Sequence, residues 1–110
     1  MDLAMLELKE KTKIRGKTMF IASAKLSFYI PHSTSLKDKR QVRRSLIDKT
    51  RQRFNVSVAE VDTQDIWQTL TIGIALVSSD TSFGQRSLDE IIRFMEEQAN
   101  AELTDVEIMS

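Results

Sequence analysis

The stretch MFIASAKLSFYI, residues 19–30, decides the fold class because its side chains alternate between two faces. One face would carry Phe20, Ala22, Ala24, Leu26, Phe28 and Ile30, which are all apolar. The other would carry Ile21, Ser23, Lys25, Ser27 and Tyr29, which are mostly small or polar. A period of two is typical of a β-strand with one buried face. Pro31 ends this strand, since proline cannot donate a hydrogen bond to a neighbouring strand.

After this strand, the spacing of apolar residues predicts two helices and three further strands. The predicted elements are a helix over 36–53, strands over 56–61 and 70–78, a helix over 83–101 and a strand over 103–109. Both helices follow clusters of serine, threonine or aspartate, the residue types that cap helix N-termini. A short polar link over 62–69 predicts a hairpin between the two middle strands.

The resulting order, β-α-β-β-α-β, predicts an α+β ferredoxin-like sandwich. Right-handed crossovers place both helices on one face of a four-stranded antiparallel sheet. We expect the domain to span 19–110. Residues 1–18 differ in character, with basic side chains at alternate positions from Lys9 to Lys17, and are expected to form a flexible N-terminal extension.

Composition excludes several classes of function. Sixteen basic and sixteen acidic residues cancel in a chain of 110, so no net field draws it to nucleic acid or membranes. The chain has no cysteine, which excludes disulfides and thiolate chemistry and fits a cytoplasmic protein. No apolar run reaches the roughly 18 residues of a membrane span. No catalytic triad, phosphate loop or metal-ligand spacing is present, so we expect no enzyme activity and no cofactor.

The first predicted helix concentrates positive charge. Half of the basic residues of the chain lie in 37–53. At 100° per residue, one side of this helix carries the four cations that we predict to contact nucleic acid: Lys37, Arg40, Arg44 and Arg51. The alternative is an ordinary solvated helix face, whose basic residues near the C-terminus favour the helix dipole.

Two further surfaces are candidates for interaction. The hairpin contains Trp67, an indole in a polar link that is either packed on the sheet edge or presented to a partner. It also contains Glu60, Asp62 and Asp65, which could bind a cation or share acid–base work, although all three residues are also ordinary near turns. The uncovered sheet face would hold Tyr29 and Ala75 among short side chains, which suits a homodimer or simple solvation better than base stacking.

Three segments of the chain carry a family resemblance. Residues 35–40, SLKDKR, and 53–62, RFNVSVAEVD, followed by 64–68, QDIWQ, resemble the YlxP-like family of small bacterial proteins. The resemblance implies a ferredoxin-like fold and genes near those for translation initiation and ribosome-binding factors, and hence a ribosome- or RNA-linked role. The sequence departs from the family at Thr63, where histidine is common, and at Thr69, where a basic residue is common.

Three hypotheses follow from these features. The first is an accessory factor that touches ribosomal or other structured RNA through the basic helix, with Trp67 near the rim. The second is a protein–protein interaction module, homodimeric through the open sheet face and without catalytic activity. The third is a small enzyme or metal binder at Glu60, Asp62 and Asp65.

Overall fold

The computed structural model describes residues 19–109, and the predicted extension over 1–18 lies outside the described residues. The elements are β1 (Phe20–Tyr29), α1 (Leu36–Arg53), β2 (Ser57–Glu60), β3 (Thr69–Ser78), α2 (Thr81–Gln98) and β4 (Glu102–Ile108). Their order is β-α-β-β-α-β, which confirms the predicted ferredoxin-like α+β arrangement.

The four strands form one antiparallel sheet in the order β2-β3-β1-β4. The two long strands, β1 and β3, lie in the centre and pair along their whole length, from Phe20 opposite Ser78 to Tyr29 opposite Thr69. A register shift between Ser27 and Phe28 interrupts the pairing of β1 with β4. The edge strands are β2, which is only four residues long, and β4, which pairs with β1 alone.

The hydrophobic core lies between the sheet and the two helices. Every second side chain of β1 and β3 is buried in it, as the alternation predicts. Phe28 and Leu26 of β1 are fully inaccessible to solvent and belong to the same core cluster as Leu46 of α1 and Met95 of α2. Within residues 19–109, the helices and the core cover only one face of the sheet.

The second helix begins earlier than its apolar pattern indicated. It spans Thr81–Gln98 rather than 83–101, because Asp80 is the N-cap and accepts a hydrogen bond from the backbone of Ser82 at 3.1 Å. Ala99 caps its other end in an extended conformation. Periodicity marks where a helix buries side chains, whereas the cap decides where it starts. Within residues 19–109, no helix is long and apolar enough to cross a membrane.

Candidate nucleic-acid interface

The N-terminus of α1 is fixed by a reciprocal capping arrangement. The side chain of Ser35 accepts a hydrogen bond from the backbone N–H of Asp38 at 3.1 Å. The Asp38 carboxylate in turn accepts from the backbone N–H of Thr34 at 3.0 Å and from its hydroxyl at 2.9 Å. These bonds from the Thr34 backbone and side chain hold the pKa of Asp38 below its ordinary value. The first turn of the basic helix is therefore well ordered.

Three of the four predicted nucleic-acid contacts lie on an open surface. Lys37, Arg40 and Arg44 are exposed, and the two arginines follow each other at the four-residue spacing that aligns side chains on one face of a helix. Within the part of the chain that the structure describes, no carboxylate forms an ion pair with any of the three. Their charges are therefore available to an anionic partner.

Arg51, the fourth predicted contact, already has an intramolecular partner. Its side chain is exposed, yet its guanidinium donates a hydrogen bond to the carbonyl of Val58 at 2.8 Å. This bond ties the last turn of α1 to the edge strand β2. A guanidinium has five donors, so Arg51 can still contact a phosphate, but its position is set by the sheet.

Three other cations of α1 are engaged by groups within the fold. Arg43 donates to Glu60 at 3.2 Å. Arg53 lies over the rings of Phe54 and Phe94, 5.6 and 5.5 Å from their centroids, and those rings meet edge to face. Lys39 is buried. The basic surface is thus smaller than the number of positive charges in the helix sequence suggests.

Lys39 forms the least expected feature of the structure, a buried ion pair. It is only 1% exposed, and its ammonium contacts the carboxylate of Glu60, whose side chain is 5% exposed. The same ammonium donates to the carbonyls of Thr63 and Ile66 in the link between β2 and β3. Three acceptors therefore use all three donors of the ammonium group.

The carboxylate side of this pair is equally well satisfied. Glu60 accepts from Lys39, from Arg43 and from the hydroxyl of Thr63, the last at 2.9 Å. Burial by itself would raise the pKa of Glu60, but the bonds from Lys39, Thr63 and Arg43 outweigh it and leave that pKa below its ordinary value. Glu60 is thus held in its charged form.

This lowered pKa predicts acid-sensitive stability. A carboxyl whose folded pKa lies below its unfolded pKa stabilises the fold above the unfolded value, and the contribution is lost as the pH falls through the folded value. We expect the free energy of unfolding to decline below about pH 4.3, the ordinary glutamate value. Urea unfolding across this range should show a steeper decline for the wild type than for Glu60→Gln. The exposed Glu97→Gln is the control, and equal slopes for wild type and Glu60→Gln would contradict the assignment.

Sequence analysis counted Lys39 only among the basic residues of 37–53 and did not predict this pair. The available signal was its position: Lys39 lies three residues after Leu36 and seven before Leu46, on the inward stripe of the helix. Lysine is rarely buried unless it is paired, and the sequence alone does not reveal the partner across the fold.

Trp67 comes directly after Ile66, whose carbonyl accepts a hydrogen bond from the buried ammonium of Lys39. The indole is 49% exposed, as is the neighbouring side chain of Ile66. Together with Leu36 and Asp65 these side chains line a shallow notch at the N-terminal end of α1. Of the two alternatives for Trp67, packing on the sheet edge or presentation to a partner, the half-exposed indole fits the second better.

The three hairpin carboxylates do not converge on one site. Glu60 points into the helix layer and is neutralised there, while Asp62 pairs with Lys25 of the open sheet face at 2.7 Å. Asp62 also has a positive φ of 66°, a backbone conformation that aspartate tolerates better than most residues. Among residues 19–109, no group of three histidine, cysteine, aspartate or glutamate side chains could hold a metal ion. The separate partners of Glu60 and Asp62 give the metal-binding hypothesis no support.

The open sheet face carries the other two predicted interaction residues. Ala75 lies opposite Ser23 and Ser57 on neighbouring strands, and Tyr29, 39% exposed, stands at the far end. Ile21 and Val77 face each other near Ala75 and are 49% and 68% exposed. Glu102, Asp105 and Glu107 of β4 border this face on one side. The face is flat at its centre and apolar at one end.

Comparison with known proteins identifies the family. The model of a family described as "Protein of unknown function (DUF503)" matches residues 21–108. The chain belongs to the DUF503 family. It is also 33% identical over 84 residues to a protein of Bacillus subtilis (strain 168) named "Uncharacterized protein YlxP", which covers 76% of this chain and 91% of the relative. The resemblance found in the sequence is thereby confirmed.

The segments that resemble the family meet in this DUF503 member around the buried ion pair. Lys39 comes from the SLKDKR segment, Glu60 from the segment that begins at Arg53, and Ile66, whose carbonyl accepts from Lys39, from the QDIWQ segment. Thr63 is buried, donates its hydroxyl hydrogen to Glu60 at 2.9 Å and accepts from the backbone of Thr71 at 2.9 Å. In this chain position 63 thus supports the ion pair through a hydroxyl.

Proposed function

We propose that this protein is an accessory factor that contacts ribosomal or other structured RNA through the exposed basic face of α1. The observation that supports the proposal most directly is that Lys37, Arg40 and Arg44 are exposed and unpaired within residues 19–109. Arg40 and Arg44 are separated by about 6 Å along the helix axis, at 1.5 Å per residue. Each guanidinium can bind a phosphate through two parallel hydrogen bonds.

The net charge of zero makes this local arrangement decisive. Long-range attraction to RNA is weak for such a chain, so binding depends on phosphates that reach the basic face directly. The acidic residues of β4 belong to the opposite side of the fold, the open sheet face, and therefore do not compete for the cations of α1.

Co-sedimentation of the full chain with ribosomal subunits from a related bacterium tests the proposal. We expect pelleting with one subunit at low salt and clear loss at moderate salt, because each neutralised phosphate contributes about −0.9 to the slope of log affinity against log salt. Protein that stays in the supernatant at both salt concentrations would contradict the proposal. Pelleting that does not respond to salt would also contradict it.

The second candidate function is a homodimeric interaction module, and the exposed pair Ile21 and Val77 favours it. Two large apolar side chains face each other next to Ala75 at one end of this face. A two-fold axis through such a face would bury the same residues from each copy. This surface is separate from α1, so a dimer of this kind leaves the basic face free.

Replacing Ala75 by arginine tests the dimer. A bulky charge at the centre of the face should convert the dimer to a monomer, as measured by light scattering over a range of concentrations. The exposed Ser45→Arg on α1 adds the same side chain elsewhere and should leave the dimer intact. A wild-type protein that is monomeric at high concentration would exclude the dimer.

A further inference from the structure

Trp67 combines an exposed side chain with a backbone that is fixed on both sides. The carbonyl of Ile66, just before it, accepts from the buried ammonium of Lys39. The carbonyl of Gln68, just after it, accepts from the backbone N–H of Ile30 at 2.9 Å, and the Gln68 side chain donates to the carbonyl of Ser33 at 3.4 Å. The indole is therefore presented to solvent without the entropy cost of ordering its own loop.

The indole also lies beside the start of the basic face. Leu36, the first residue of α1, lines the notch that contains Trp67 and Asp65. Arg40 lies four residues, about one turn, after Leu36, and Arg44 lies one turn further, so the exposed arginines begin next to this end of the helix. An aromatic surface and two free guanidinium groups thus follow one another along the same side of the molecule.

We propose that Trp67 is a stacking platform for an unpaired nucleobase of an RNA whose neighbouring phosphates lie on Arg40 and Arg44. The inference rests on the proposed function and specifies its ligand as a single-stranded element, such as a loop or bulge, because bases within a duplex expose no face. Asp65 lies in the same notch and repels phosphate, which directs the RNA backbone towards α1.

Nucleic acid suits this surface better than an apolar peptide would. A peptide hot spot is usually a desolvated pocket ringed by other contacts, whereas the notch is shallow and has a carboxylate in its lining. A base needs only one flat face of an aromatic ring, and the adjoining cations supply the attraction for the phosphates. The rigid backbone and the open indole meet both requirements.

Binding of two fluorescently labelled RNAs by the full chain tests the inference: an oligouridine single strand and a fully paired duplex of equal length. Trp67→Ala should weaken binding of the single strand by roughly 5- to 150-fold, the range that corresponds to the loss of one base–aromatic stack. Its affinity for the duplex should stay the same. Phe83→Ala removes another exposed aromatic side chain, at the start of α2, and should change neither affinity.

Two further measurements separate stacking from a change in the fold. Trp67 is the single tryptophan of the chain, so its fluorescence reports on this position alone and should be quenched by the single strand and not by the duplex. Asp65→Asn should strengthen binding of the single strand, because it removes a repulsive charge without removing the indole.

Each outcome decides the inference. A Trp67→Ala variant that binds both RNAs as Phe83→Ala does would overturn it and would leave the indole to a protein partner. Unchanged tryptophan fluorescence at saturating single strand would also overturn it. If stacking fails while binding still depends on salt and on Arg40 and Arg44, only this inference is lost. If the wild type binds neither RNA nor ribosomal subunits, the proposed function is lost as well.

Discussion

Replacing Lys39 by methionine is expected to lower the free energy of unfolding by about 3–5 kcal/mol, the range measured when one partner of a buried ion pair is removed. Methionine fills a similar volume but leaves the 5% exposed carboxylate of Glu60 with its nearest cation missing. The carbonyls of Thr63 and Ile66 lose a donor at the same time. Urea unfolding at neutral pH measures the change.

The double variant Lys39→Met/Glu60→Leu is the matched control for this experiment. It removes both buried charges, and apolar replacement of a whole buried pair is often neutral. We expect it to recover the part of the loss that comes from the unpaired carboxylate, while the carbonyls of the link still lack their donor. A single variant that loses less than about 1 kcal/mol, the usual value of a surface pair, would show that Lys39 is not buried as described.

Reversing two charges, Arg40→Glu with Arg44→Glu, is expected to weaken binding to ribosomal subunits by at least about 100-fold. A hydrogen bond to a charged group is worth about 1.5–3 kcal/mol, and the variant loses two such contacts and adds repulsion. The slope of log affinity against log salt should fall by about 2, one for each phosphate contact. Both side chains are exposed, so the fold should be unaffected.

The control variant carries the same charge change on the other helix. Arg86→Glu with Arg93→Glu alters two exposed arginines of α2, one of which pairs with Asp89 at 2.9 Å. It should bind nearly as the wild type does. Equal loss of binding in both variants would mean that net charge alone governs the interaction, and it would contradict a specific role for the basic face of α1.

The strands and helices could be predicted from the sequence because burial of one face imposes a regular spacing of apolar residues. The alternation in β1 exists because one face of the sheet packs on the helices, and capping residues mark the start of each helix. The exposure of Arg40 and Arg44 could be predicted for the same reason, since helical periodicity places them opposite Val42 and Leu46. These features depend on neighbours in sequence.

The buried pair could not be predicted because its partners are distant in sequence. Lys39 and Glu60 meet only when α1 packs on the end of β2, so the inward position of Lys39 in the helical pattern does not identify its partner. The same holds for the bond between Arg51 and the carbonyl of Val58. Side-chain polarity indicates whether a residue is usually buried or exposed. The tertiary fold determines which of the basic side chains are buried or bonded within the protein.

The two edge strands of the sheet, β2 and β4, affect the tendency of the concentrated protein to aggregate. An uncovered strand edge can template growth into fibrils, and β2 limits this risk by its length of four residues. On β4, the carboxylates of Glu102, Asp105 and Glu107 share one side of the strand, so an antiparallel pair of β4 edges would bring like charges together. The short β2 edge and the acidic β4 edge thus both oppose edge-to-edge aggregation of the sheet.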